Sequence, residues 1–307
     1  MKIQMNKKNI IILIGIVVFI FIVIIIVNVI NPNNAENKYI ELEDNINVES
    51  EKIDIDNSED TTVEEDPNSE DAIEVFNTTD KLIKGELHYP VRNDGKKVVY
   101  LTFDDGPSTT NTPMVLDILK QNNIKATFMI KGSSLEVSET SKDILKRTVK
   151  EGHAIGNHTY SHDYKYLYPA DENNQMTISP DNFIADIDKC NKALKSVLGE
   201  DFETRVIRFP GGYWSWEGRT AIKPIIEERG YASINWNALC KDSEGKPNKT
   251  SDELIKISEE CLDNLGDSAD SVVFLMHDTY GKEETVKALQ KIIDMFRERG
   301  FEFKTIK

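Results

Sequence analysis

Two adjacent carboxylates, Asp104 and Asp105, stand in the stretch Thr102-Phe103-Asp104-Asp105-Gly106-Pro107, directly after the apolar, β-branched run Val98-Val99-Tyr100-Leu101. The pattern predicts a strand that ends by presenting two acids at a turn. Successive side chains of a strand point to opposite sides, so one carboxylate can bind a cation while its neighbour stays free as a base. Alone, Asp-Asp-Gly-Pro serves as well to open an Asx-type turn. Downstream, Gly156-Asn157-His158-Thr159-Tyr160-Ser161-His162 sets two histidines four apart. On a helical turn these positions share a face, and both imidazoles can reach one ion. Such a pair is a weak signal by itself. With a strand-end aspartate it becomes two nitrogens and one oxygen, which suits a zinc-class divalent ion with positions open to water and substrate.

The elements that must hold these groups alternate. Helical spacing marks residues 112–121, 141–150, 181–198, 218–229, 251–265 and 283–298. Extended signals mark 125–130, 154–156, 205–209, 231–236, 271–276 and 301–303. A repeated strand-helix pattern of this size predicts an α/β fold with a parallel sheet. About seven repeats point to a distorted or incomplete (β/α) barrel, whose chemistry belongs where strands end and loops begin.

The 307 residues, 39% of them hydrophobic, are ample for one such domain with appendages. Residues 10–30 form a near-unbroken apolar run, about the ~20 residues that span a bilayer. No small-x-small cleavage site follows, so an uncleaved single-pass anchor is expected. Lys2, Lys7 and Lys8 precede it, which places residues 1–9 in the cytoplasm, the rest of the chain outside, and the protein at the cell membrane. Residues 31–80 are acidic, with 17 carboxylates against Lys38 and Lys52. That segment is expected to be a disordered, self-repelling spacer ahead of a catalytic domain at 81–307. With this segment and the amino-terminal lysines set aside, little of the formal charge of −16 remains for the domain, and no basic face interleaved with aromatics suggests nucleic acid. Cys190, Cys240 and Cys261 have no metal-like spacing; one disulfide can form, but three buried thiols are expected.

Five stretches in order resemble the polysaccharide deacetylase family, the NodB-homology carbohydrate esterases of family 4. They are Thr102 to Pro107, His158-Thr159 with His162, Arg208-Phe209-Pro210-Gly211-Gly212, Asn235-Trp236, and Leu275-Met276-His277-Asp278. The resemblance spans about two-thirds of the chain, from near Gly95 to near Phe303, and implies the same barrel. It assigns Asp105, His158 and His162 to a divalent metal, Zn2+ first, with Co2+, Mn2+ or Ni2+ as alternatives. Asp104 becomes the general base, held by Arg208 in a bidentate pair, and His277 the acid that protonates the leaving amine. Gly211 stands where many members carry Tyr and offers its backbone N–H to the oxyanion. Tyr213, Trp214, Trp216, Trp236 and Leu275 are candidates for the substrate wall. Where the family often has Asp before the fourth-motif Trp, this chain has Asn235. That predicts a lower pKa for His277 than in relatives, unless Asp242 or Asp278 supplies the charge.

The resemblance implies a metal-dependent deacetylase acting on N-acetylated sugars of a cell-wall polysaccharide. N-acetylglucosamine of peptidoglycan comes first, and N-acetylmuramic acid or chito-oligosaccharides follow. An O-acetyl esterase is a rival. So is an inactive glycan-binding module, which the intact set Asp104, Asp105, His158, His162 and His277 opposes. Glycan and membrane are the expected partners, and a monomer is expected.

Overall fold

The computed structural model describes residues 66–307. The expected cytoplasmic residues, membrane anchor and most of the acidic spacer lie outside the described residues. Among those described, no helix is long and apolar enough to cross a membrane.

Among the described residues, ten strands and eight α-helices follow one another in near-alternation. The longest strand, β2 (Lys97–Asp104), is buried along its length from Val98 onward. That is why its sequence reads as a continuous apolar run rather than an alternating one. Its neighbours are β3 (Thr127–Ile130) and β8 (Ser271–His277), both parallel to it. Outward from β3 lie β4 (Ala154–Asn157), β5 (Val206–Ile207) and β6 (Ala232–Ser233); beyond β8 lies β7 (Ala238–Leu239). A short strand β9 (Phe301–Phe303) pairs with the start of β2. The seven strands of the path curl through 211° and stay open between β6 and β7, so the barrel is incomplete.

Alternation along each strand sorts the core into layers. Val99, Leu101 and Phe103 of β2 face outward, packed with helices α2 (Asn111–Gln121) and α8 (Glu283–Glu298) in one cluster. Val98 and Tyr100 face inward with Met129, Val206, Ala232, Ile234 and Val273. By the same period of two, the inward positions continue to Thr102 and Asp104 on β2, to Leu275 and His277 on β8, and past Val206 to Arg208. A lumen that begins apolar therefore ends in chemistry at the carboxyl ends of the strands.

Three expectations need correcting. The spacer does not run to residue 80, because β1 (Ser69–Glu70) pairs with β10 (Thr305–Ile306) and helix α1 occupies Ala72–Ile83. Asp71 caps α1 by accepting from the N–H groups of Ile73 and Glu74. The acidic composition of the stretch masked the helical spacing of Ala72, Ile73, Val75 and Phe76. Second, the strand read over 231–236 shortens to β6, after which Ile234 to Asn237 cross to β7 on the opposite edge of the open seam. Third, the strand read over 205–209 shortens to Val206–Ile207. All three cysteines are free thiols, Cys261 only partly buried.

Ala72 and Val75 of α1 join the luminal cluster, and Val75 is 3% exposed. Val75→Ala should cost about 2 kcal/mol, a fall in Tm of roughly 4–8 °C, by lost burial plus the cavity left behind. Thermal unfolding of the variant beside the native chain checks whether α1 belongs to the domain core.

Candidate active site

Asp104 ends β2 in register with His277 of β8. Its Oδ1 accepts from Arg208 Nη1 at 2.7 Å. Arg208 is fully buried; Nη1 also donates to Thr102 Oγ1 at 2.8 Å, and Nε donates to the Ile234 carbonyl at 2.9 Å. The expected bidentate fork is therefore a single contact. Nε is spent on the seam-crossing segment, and Nη2 has no partner among the described residues. One guanidinium thus ties β2, β5 and the open seam together around the Asp104 carboxylate, a charge-assisted bond in a dry setting.

Asp105 departs from the strand with φ +71°, in the left-handed region. That turn undoes the expected opposite-sides arrangement, because it brings the second carboxylate back to the same cleft. Asp105 Oδ1 lies 3.3 Å from His162 Nε2 and 3.6 Å from His158 Nε2, and Asp104 Oδ2 lies 3.5 Å from His158 Nε2. The two histidines sit on a loop rather than on a helical turn, with Thr159 and His162 both at positive φ. Hydrogen bonds replace the helix as the means of positioning. Thr159 N–H donates to Asn157 Oδ1 at 2.8 Å, and His162 N–H to Thr159 Oγ1 at 3.2 Å. His158 Nδ1 is 2.8 Å from the Arg208 carbonyl. A carbonyl only accepts, so Nδ1 carries the proton and Nε2 presents its lone pair to the cleft.

Asp105, His158 and His162 each offer one ligand atom, and these atoms lie within 4.8 Å of one another. The set fits a divalent cation on three counts. It combines imidazole nitrogens with a carboxylate oxygen. Asp105 Oδ1 is buried and has no hydrogen-bond partner among the described residues. Burial and the neighbouring His158 push the His162 pKa down to about 4, which keeps its ring neutral and able to ligate.

Across the cleft, Asp242 Oδ1 accepts from His277 Nδ1 at 2.8 Å, and Oδ2 from His277 N–H at 2.9 Å and Thr285 Oγ1 at 2.9 Å. Burial alone would lower the His277 pKa, but the Asp242 charge and hydrogen bond outweigh it and raise the value to about 9. Asp242 thus supplies the charge that Asn235 lacks. Asn235 Oδ1 accepts from Tyr213 N–H at 3.1 Å and shapes the loop after β5 instead. Asp278 is not the histidine's partner either. Its Oδ2 accepts from Thr112 Oγ1 at 2.6 Å, and its carboxylate lies 2.5 Å from where a Cβ on Gly106 would stand. It therefore buttresses the turn after Asp105, and Gly106 is needed for that close approach. Burial, reinforced by the charge of Asp105, raises the Asp278 pKa to about 7 despite the Thr112 hydrogen bond.

Residues 91–225 match the sequence pattern of the family described as polysaccharide deacetylase. A peptidoglycan-N-acetylglucosamine deacetylase of Bacillus cereus is 34% identical over 215 residues, which cover 69% of this chain and 67% of the relative. A chitin deacetylase of Colletotrichum lindemuthianum is 34% identical over 214 residues, covering 68% and 77%. The chain belongs to the polysaccharide deacetylase family. Among solved structures, a CE4 esterase of Streptococcus mutans superposes with a TM-score of 0.63 at 33% identity, covering 69% of this chain and 87% of that one. The polysaccharide deacetylase fold therefore accounts for the open barrel, and the family's hydrolases for the type of reaction.

The aromatic residues of this deacetylase divide. Tyr213 is buried, edge-on to Phe209, and packs rather than faces the cleft. Trp214 lies on the surface beneath Lys84 and Arg219. Trp236 lies 5.6 Å from the Arg208 guanidinium and fills the space where Gly212 would carry a Cβ. Leu275 is buried in register with Thr102. Trp216 stacks on Tyr168 at 4.1 Å, and both donate to the Pro210 carbonyl, Trp216 Nε1 at 2.8 Å and Tyr168 Oη at 3.0 Å. A trans peptide points its C=O and the following N–H in opposite directions. The two bonds therefore fix the aim of the Gly211 N–H, which donates to no group among the described residues.

Sequence reasoning missed the aromatic side of the histidine loop. Tyr164 stands two residues after His162, with its ring centroid 5.2 Å from that imidazole. The spacing Tyr160, Tyr164, Tyr168, a series of fours interleaved two residues off the histidines, was the available signal. Asp186 was also missed. It accepts from Ser161 N–H at 2.8 Å and from Ser161 Oγ at 2.9 Å, anchoring the loop to helix α5 (Pro180–Leu198). A cavity of about 720 Å³ lies near the amino ends of the strands, among His153, Arg205, Arg229 and Lys307, and touches none of the reactive residues.

Proposed function

We propose that the protein is a metal-dependent, membrane-anchored deacetylase that hydrolyses the N-acetyl group of amino sugars in a cell-wall polysaccharide, with N-acetylglucosamine of peptidoglycan as its first substrate. One observation carries the reading. A cluster fit for a cation lies between a carboxylate paired to a buried arginine and a histidine paired to a buried aspartate. The names of the Bacillus cereus and Colletotrichum relatives support an N-acetylated glycan as substrate. Residues 10–30 support the anchor, with the catalytic domain outside the cell.

Asp105, His158 and His162 would hold the ion, Zn2+ first by the two-nitrogen, one-oxygen set. When bound, the ion supplies activation of a water and polarisation of the acetyl carbonyl. Asp104, kept in place by Arg208, takes the proton of the attacking water as its oxygen bonds to the acyl carbon. The Gly211 N–H, aimed by the clamped Pro210 carbonyl, meets the charge that develops on the acyl oxygen. His277, charged beside Asp242, gives its proton to the sugar nitrogen as the C–N bond breaks, leaving acetate and a free amine. With its pKa raised to about 9 by the Asp242 charge and hydrogen bond against the pull of burial, His277 holds the proton it must donate at neutral pH.

Acetate release by the zinc-supplemented full chain from purified peptidoglycan and from chito-oligosaccharides tests the reading, with mass spectrometry of the digested muropeptides. Loss of one acetyl mass from the glucosamine unit is the expected result. Loss from the muramic acid unit would move the substrate to that sugar. No acetate from either glycan, with metal retained, would sink the deacetylase reading.

A further inference from the structure

Gly211 leaves a gap at the family's usual Tyr position, and the structure shows what occupies it. A Cβ at residue 211 would stand 2.8 Å from Trp216 Cζ2 and 3.3 Å from the Tyr164 hydroxyl oxygen. Residue 211 also has φ +74°, which a side chain rarely adopts. Glycine is thus demanded twice, by backbone conformation and by two aromatic residues that crowd the site from the histidine loop and the loop after β5.

Tyr164 is placed by its neighbours. Its ring tilts against His162 at 5.2 Å and meets Trp216 edge-on at 5.2 Å. Trp216 is in turn locked by its stack on Tyr168 and its bond to Pro210. The phenol remains 39% exposed, and its hydroxyl makes no side-chain hydrogen bond among the described residues. An ordered aromatic body with an unspent O–H therefore ends against Gly211, the residue whose N–H the deacetylase reading gives to the oxyanion.

We infer that the Tyr164 hydroxyl is a second donor to the acyl oxygen, acting with the Gly211 N–H as the charge on that oxygen grows. Preorganised donors act most where charge develops, so the contribution falls on turnover rather than on ground-state binding. The inference rests on the deacetylase reading. It adds to that reading a catalytic hydroxyl supplied from the histidine loop in place of a side chain at residue 211.

Tyr164→Phe keeps the ring and removes only the donor. In the zinc-loaded full chain, kcat on N-acetylated glycan should fall tenfold to a hundredfold, with KM within threefold and zinc content unchanged. A raised KM at unchanged kcat would make Tyr164 a sugar platform and overturn the proposal, as would equal kinetics. Calorimetric binding of acetate, whose carboxylate carries the acyl oxygen, reads the same donor without turnover. A Kd at least fivefold weaker in Tyr164→Phe supports the inference, and an equal Kd overturns it. Wild-type protein that releases no acetate from glycans would count against the deacetylase reading alone, because the acetate-binding comparison still decides the role of Tyr164.

Discussion

Asp105→Ala should abolish retention of added zinc and reduce acetate release by at least about a thousandfold, the scale expected when a ligand of an open three-residue site is lost. Asp105 provides the only oxygen of the cluster, 3.3 Å from His162 Nε2, and its Oδ1 is buried with no other partner. The carboxyl is held ionised there: burial opposes its charge, but His158 and His162 more than offset that and lower its pKa. The neighbouring Asp104 is not free to replace it, because Arg208 holds Oδ1 at 2.7 Å from inside the lumen. Metal content by elemental analysis and acetate release should therefore fall together. A variant that kept both zinc and turnover would remove Asp105 from the ligand set. A variant that lost turnover while keeping zinc would move it to the role of base.

Asp242→Asn should shift the alkaline limb of the kcat profile to lower pH and cut turnover at neutral pH by about a hundredfold, within the range for general acid catalysis. The sign follows from which form works. His277 acts protonated, so activity falls as pH rises through its pKa, raised in the native protein to about 9 by the Asp242 charge and hydrogen bond against the pull of burial. Asparagine can orient the ring, but it leaves burial opposed only by the smaller effects of Asp104 and Asp105, and the proton is lost at lower pH. The deficit should therefore shrink as the assay is taken toward acid. A pH series on both proteins decides this; an alkaline limb that does not move would show that His277 is not the acid. Thr285 and the His277 N–H also bond to Asp242, so the accompanying Asp242→Ala variant separates loss of charge from loss of position.

Long, strongly patterned elements were legible from the residues. The helices at 251–265 and 283–298 carry a helical period, and β2 a continuous apolar, β-branched run that marks a buried strand. The carboxylates and histidines that the structure gathers into one cleft were legible because chemistry restricts residue types. Conformation set by a single backbone angle was not. The left-handed Asp105 and His162 decide which way the ligands point, and nothing in residue type announces them. Which of Asn235, Asp242 and Asp278 stands beside His277 was left open for a related reason. Asn235 is adjacent to the motif tryptophan in sequence, but Asp242 is adjacent to His277 in space, because β7 lies beside β8 after the chain has crossed the seam. Helix α1 was hidden by acidic residues that face solvent while Ala72 and Val75 turn inward.

The pairing of β1 with β10 has a mechanical side. Ser69 and Glu70 are joined to Thr305 and Ile306, and the Ile306 N–H bonds to Thr127 at the start of β3. The chain thus enters the domain at the amino pole of the strands, while Asp104 and His277 end theirs at the other. A pull on residue 66 is taken up first by that short ladder and by the seat of α1, in parallel with the bond from Lys307 to Asp66. Traction from upstream is borne at the far pole, and the ligand loop, fastened separately through Asp186 to α5, is spared the load.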